Sequence, residues 1–267
     1  MFNSVVIGCA VLLCLVPAQV FAGCLVGEAA PGAAGLFKMH LSATCTPAER
    51  EAHAVEVSAV LEALKRGQTV DLHGVLIRGD LMLDTLPVVT DLSAFDGIVG
   101  PQEKEVRVIA SEVSIVNSVV RGRILHRSPD GTLIFSGPVT FVGTTFEQMV
   151  DLSRSIFTQP VTLSGAVFLA EGYFVQNQFY RELTCEKTAF GRHTRFHRSR
   201  FREPVVFEQS GFSGLAQSQA SPMPSQSLSD WLVFASSGQL SSSFATRSPS
   251  ASPQDPSTGC PRSASKG

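Results

Sequence analysis

The chain is poor in charge: Asp, Glu, Lys and Arg make up 16% of its residues, and its formal net charge is −2. Such a balance supplies no field strong enough to draw nucleic acid or an anionic membrane to the molecule as a whole. It is poorer still in two aromatic types, with one Trp and two Tyr. No CxxC pair or Cys/His cluster has the spacing of a zinc site. There is no Gly-x-Ser-x-Gly elbow, no phosphate-binding loop and no HExxH helix. These gaps leave the chain without a recognisable catalytic constellation, so neither enzymatic activity nor a cofactor is expected. Against them stands one excess, 18 Phe among 267 residues. An aromatic type used that often fills one kind of structural slot repeatedly.

Long apolar runs are also missing, with one exception. VVIGCAVLLCLVPAQVFA, residues 5 to 22, has the length of a signal peptide and ends in the small-residue pattern Val20-Phe21-Ala22. Pro17 interrupts it, which argues against a membrane-spanning helix. Residues 1–22 are therefore read as a signal peptide, and the mature chain as exported, either periplasmic or secreted. Phe21-Ala22-Gly23-Cys24 also resembles a lipobox with Phe in place of the usual Leu, so a lipid anchor at Cys24 is the alternative. Beyond the signal stand Cys24, Cys45, Cys185 and Cys260. An even count in an exported chain permits disulfides. Cys24 and Cys45 are the expected pair, closing a loop of about 20 residues worth roughly 3 kcal/mol in the chain-entropy model.

The Phe residues are not scattered. One series runs Phe135, Phe146, Phe157, Phe168, Phe179, Phe190, Phe201 and Phe212, always eleven apart. A second, also eleven apart, runs Phe141, Leu152, Leu163, Phe174, Cys185, Phe196 and Phe207. Interleaved, the two give steps of five and six. Two residues before members of the first series the side chain is mostly small: Thr144, Ser155, Ala166, Asn177, Thr188, Ser199 and Ser210. An eleven-residue period could signal a right-handed coiled coil, but Pro138, Pro160 and Pro204 each cost a helix about 3 kcal/mol. Alternating side chains instead place positions i−2 and i on one face of a strand. Repeats too short to bury a face alone must stack, and stacking gives a solenoid.

The segments Thr144-Thr145-Phe146, Ser155-Ile156-Phe157 and Ala166-Val167-Phe168 resemble the pentapeptide-repeat family, in its Phe-rich branch with alternating five- and six-residue steps. The resemblance covers about residues 68–212. It implies an all-β fold, a right-handed, four-sided parallel β-helix, with 22 residues to a coil. Val70-x-Leu72, Val75-x-Ile77 and Leu81-x-Leu83 fit the pattern, as do Val113-x-Ile115, Ser118-x-Val120 and Arg123-x-Leu125. Residues 86–112 break phase and are read as a loop or excursion, and HRSPDG at 126 to 131 as a turn inserted at a corner. Some members of the family resemble B-form DNA and bind topoisomerase. That role goes with an acidic cytoplasmic rod, so a DNA-mimic, topoisomerase-binding protein is the remote alternative here, and nucleic acid itself is not an expected partner.

An open solenoid needs covers at both ends. Residues 23–67 supply the first: Thr46-Pro47-Ala48-Glu49 is a capping box with Pro at the first helical position. One helix is expected from there to Gly67, burying Ala54, Val57, Leu61 and Leu64 as a stripe. Residues 213–267 hold 17 Ser and two acidic residues, the composition of a disordered tail or of a reading-frame accident. Within it only 229 to 235 is apolar enough to fold back over the last rings; otherwise two chains pair end to end, as relatives in the family do, making a homodimer through the C-terminal end.

Charged groups offer two candidate sites. Glu49, His53 and Glu56 would share a face of the expected helix, where a solvated i,i+4 pair is a plainer account than a metal or acid/base cluster. The segment 181 to 202 carries seven Lys or Arg with two Glu and two His. Arg192, His193, Arg195, His197, Arg198, Arg200 and Arg202 would project from the last coil, either as a solvated wall or as a surface for an anionic envelope component or a partner protein. Cys185 fills a slot otherwise held by Phe or Leu and is read as buried and inert. Taken together, the expectation is a non-catalytic exported scaffold or interaction module.

Overall fold

The computed structural model describes residues 23–28, 35–100, 103, 105–128 and 130–213, with the backbone of 215–217. The signal peptide, Cys260 and the segment 229 to 235 lie outside the described residues. The rest winds as a parallel β-solenoid of about seven turns. One circuit visits four sides: Val139–Thr140 on the first, Thr145–Phe146 on the second, Val150–Asp151 on the third and Ser155–Phe157 on the fourth. The chain then returns to the first side 22 residues on (161 − 139), where Val161 and Thr162 pair in parallel with Val139 and Thr140. Each side is thus its own ladder, and four sheets wall one interior.

The alternation of five and six follows from the corners. The five-residue steps from first to second side and from third to fourth cross corners whose turn holds one residue at positive φ. Between the first and second sides these are Gly74, Asn117, Gly143, Gly165, Lys187 and Gln209; between the third and fourth they are Arg154, Gln176 and Arg198. Leu163 O accepts from Ala166 N at 2.9 Å across Gly165, as a type II turn requires. In the regular coils from Val139 to Phe212, the six-residue steps round the other two corners without a left-handed residue and use one more residue to do so.

Inside, each eleven-residue series splits into two columns. Phe135, Phe157, Phe179 and Phe201 stack with centroids 4.7, 4.8 and 4.9 Å apart and planes within 9°. Phe146, Phe168, Phe190 and Phe212 stack opposite them at 4.8, 5.3 and 4.7 Å. Burying one such ring stabilises by roughly 1.5–3 kcal/mol, and each aromatic pair adds about 0.5–1.5 kcal/mol. Two places earlier, Thr144, Asn177, Thr188, Ser199 and Ser210 use their side chains to bond backbone instead of filling space. Thr188 Oγ1 donates to Leu163 O at 2.8 Å, and Asn177 N donates to Ser199 Oγ at 3.1 Å. The void left between the columns is about 10 Å³, no more than one water could fill.

At the N-terminal end the single expected helix is two. α1, Pro47–Ala52, opens with the capping box, Thr46 N donating to Glu49 Oε2 at 2.7 Å and Glu49 N to Thr46 Oγ1 at 3.2 Å. It stops at His53 because Val55–Glu56 leaves the helix to pair with Ile77 and Arg78 on the second side. Val55, β-branched and 4% exposed, contributes more as a rung above Ile77 than as a helical residue. α2, Val57–Lys65, then buries Val60, Ala63 and Leu64, while Val57 and Leu61 pack at the margin. Leu36–Leu41 pairs in parallel with Thr69–His73, so residues 23–67 contribute ladder strands as well as a lid. Cys24 and Cys45 are joined, with an S–S distance of 2.01 Å.

The phase break is also shorter than 86–112. Glu105–Ile109 returns to the fourth side and pairs with Gly131–Phe135. The excursion before it folds outward: Leu92, Phe95, Ile98 and Val99 pack over Val106, Ile134 and Ile156, which point away from the main core. Val89 N donates to Val106 O at 2.7 Å, covering the edge of that ladder. At the other end the backbone pattern runs past residue 212, because Leu215–Gln217 pairs with His193–Arg195 on the third side.

Phe168 and Phe179 are each 2% exposed at mid-column, whereas Phe95 is only half-buried under the excursion. Phe168→Ala or Phe179→Ala should therefore cost about 3–5 kcal/mol in denaturant unfolding, and Phe95→Ala clearly less. Equal losses at all three positions would contradict the column assignment.

Candidate functional site

The last full coil carries the cations, and the fold distributes them around an edge instead of gathering them on one face. Arg192 sits at the corner entering the third side, His193 and Arg195 lie on that side, and His197 and Arg198 turn the next corner. Arg200 is on the fourth side and Arg202 at the corner leaving it. Between them Thr194, Phe196 and Ser199 point inward, at 2%, 1% and 0% exposure, which drives the alternating charged residues outward.

Stacking by whole coils sets their neighbours. Arg195 lies 5.6 Å from the Tyr173 ring and Arg202 3.9 Å from the Tyr180 ring, each 22 residues above its aromatic. Arg202 Nη2 also donates to the Tyr180 hydroxyl at 3.1 Å. Arginines elsewhere on the wall face carboxylates: Arg78 and Arg121 share Glu51 at 2.5 and 3.1 Å, Arg123 meets Asp80, and Arg154 meets Glu103 at 3.4 Å. Among the described residues, no carboxylate lies within 4.0 Å of the guanidinium of Arg192, Arg195, Arg198, Arg200 or Arg202. The arginines of the last edge are thus exposed and without an ion-pair partner there.

Next to this edge the excursion leaves a groove of about 360 Å³ against the fourth side. Arg198 and Arg200 line it, together with Arg154, Gln176, Gln178 and, from the excursion, Glu103. The periodicity alone does not reveal the groove, because one wall comes from residues without phase. The left-handed corner residues Arg154, Gln176 and Arg198, spaced 22 apart, are its only trace in the sequence.

The helix cluster does not assemble. Glu49 is held by Thr46, whose backbone and side-chain hydrogen bonds lower its pKa; His53 caps the end of α1; Glu56 stands on a strand 3.8 Å from Arg78. No group of three or more His, Cys, Asp or Glu among the described residues is placed to hold a metal ion. Cys185 is buried between Leu163 and Phe207 on the first side, and burial pushes its thiol far above the ordinary range, which removes the thiolate a nucleophile needs. No family model, curated protein or solved structure matches the chain.

One titratable group was not singled out by the sequence. His126, 3% exposed, donates from Nδ1 to Ser153 O at 3.0 Å. Burial lowers its pKa, with Arg107 acting in the same direction, against the Ser153 bond and the charges of Asp84 and Asp151. The unfolded chain takes up a proton near pH 6.5, the folded chain only at lower pH. Stability is then complete above about pH 6.5 and falls as pH drops toward the folded value. Denaturant midpoints measured from pH 7.5 to 5 should show this loss, and His126→Asn should flatten it; an unchanged slope in the variant would contradict the assignment.

Proposed function

We propose that the protein is a non-catalytic, exported solenoid of the pentapeptide-repeat type, a scaffold that presents the basic edge of its last coil to an anionic component of the cell envelope. The observation that carries this reading is the contrast in arginine pairing. Carboxylates meet Arg78, Arg121, Arg123 and Arg154 on earlier coils, yet none meets the five arginines from Arg192 to Arg202 among the described residues. Exposed guanidinium groups held at fixed spacing by a rigid ladder are suited to bidentate recognition of carboxylate, sulfate or phosphate. The packed interior and the inert Cys185 support a role without covalent chemistry.

The disulfide between Cys24 and Cys45 occupies the sulfur that a lipid anchor would require, which supports the unanchored form of the exported protein.

Affinity capture from an envelope fraction tests the proposal. The wild-type chain should retain an anionic component that a variant with Arg192, Arg195, Arg198 and Arg200 all changed to Glu does not. All four side chains are exposed, so the variant should unfold at nearly the same denaturant concentration. Equal capture by both proteins would overturn the reading.

A further inference from the structure

The groove beside the basic edge is built from two sources that the chain brings together at one corner. Its floor is a corner column, Arg154, Gln176 and Arg198, beside a wall column, Ile156, Gln178 and Arg200, in which each residue pairs with the one a coil above. Its other wall is the excursion, through Ile98, Gly100 and Glu103. Charge is sorted along its length. At one end Glu103 accepts from the Thr132 hydroxyl and meets Arg154 at 3.4 Å, so that end is internally neutralised. At the other end Arg198 and Arg200 have no carboxylate partner among the described residues. Between the ends Gln176 and Gln178 offer amides, each able to donate and to accept, and Ile98 gives apolar contact.

We propose that this groove binds a short acidic glycan segment of one or two sugar units, its carboxylate or sulfate on Arg198 and Arg200 and its hydroxyls on Gln176 and Gln178. The inference deepens, and rests on, the reading of the last coil as an anion-binding edge. From Ile156 to Arg200 is two coils, about 10 Å at the strand spacing, which is the reach of a disaccharide. A volume of about 360 Å³ is that of a small-molecule site and excludes a nucleic-acid duplex. Among the described residues, no aromatic side chain lines the groove to stack a base. The aliphatic side chain of Ile98 suits the C–H face of a sugar ring, and the amides discriminate a polyhydroxylated anion from a bare ion.

Calorimetry on the full mature chain tests this with three probes: a uronic-acid disaccharide, its uncharged methyl ester, and inorganic sulfate. The disaccharide should bind, and the ester roughly tenfold more weakly or not at all, since it cannot accept a charge-assisted bidentate pair. Arg200→Gln and Arg198→Asn, the latter compatible with the positive φ at that corner, should each weaken the disaccharide by about tenfold. Gln178→Ala should weaken the disaccharide several-fold and leave sulfate unchanged. Ester binding equal to that of the acid, sulfate binding as tightly as the disaccharide, or no effect of Gln178→Ala would each overturn the proposal. The two readings fail separately. If the groove variants bind the disaccharide as wild type does while the fourfold reversal still abolishes envelope capture, the groove fails and the wider edge stands. If the reversal leaves capture intact but the disaccharide follows the groove variants, the edge fails and the groove stands.

Discussion

The backbone of this protein can satisfy its hydrogen bonds only by returning to the same place one coil later. Phe141 N donates to Thr162 O, Leu163 N to Thr184 O and Cys185 N to Val206 O, each at 2.7 Å. An unpaired buried amide is costly, so the circuit length is fixed wherever the ladder runs unbroken. The fixed circuit then dictates what can stand inward. A side chain lies one strand spacing from its counterpart below, about 4.8 Å, which a flat ring meets by stacking parallel. Phe in column over Phe, and a hydroxyl or amide tied to backbone beside it, are the residues this constraint selects. Extra chain is admitted only at corners. The 43-residue interval from Val70 to Val113 and the 26-residue interval from Val113 to Val139 both keep the first-side register intact.

Both insertions leave at the same corner, between the third and fourth sides. The excursion departs after Leu81–Met82 and rejoins at Glu105–Ile109; the later turn departs after Ile124–Leu125 and rejoins at Gly131–Phe135. Arg154, Gln176 and Arg198 continue that corner through the regular coils. A regular solenoid offers flat walls, which hold small molecules poorly. Here irregular chain lies beside regular chain, and the concavity forms where they meet. The outward Ile134 and Ile156, at 0% and 3% exposure, anchor the excursion there with a small second core. The same edge then carries the arginines that have no ion-pair partner among the described residues.

Much of the architecture was legible because the constraint is periodic. Eleven-residue spacing of Phe located the strands, small residues two places earlier located the inward hydroxyls, and Thr46 through Glu49 marked the start of α1. What was not legible lacks a period or changes it. Val55 reads as part of an amphipathic helix, and only the rung of Ile77 beside it makes it a strand. Glu105–Ile109 obeys the ladder, but its partners stand 26 residues away (131 − 105), so the eleven-residue count passes over it. The basic segment was legible as charge. Its division among two sides and three corners follows from the winding, and the groove follows from a contact between segments that share no pattern.

The central claim is a four-sided coil that repeats every 22 residues, and cysteine cross-linking tests it most directly. Thr162 and Thr184 are register partners on the first side, Asp151 and Tyr173 on the third, whereas Asp151 and Thr162 stand on opposite sides. In a Cys260→Ser background, the pairs Thr162→Cys with Thr184→Cys and Asp151→Cys with Tyr173→Cys should oxidise within one chain, because register partners lie within disulfide reach. Asp151→Cys with Thr162→Cys should not. Efficient bridging of the last pair, or failure of both 22-residue pairs, would contradict the coil.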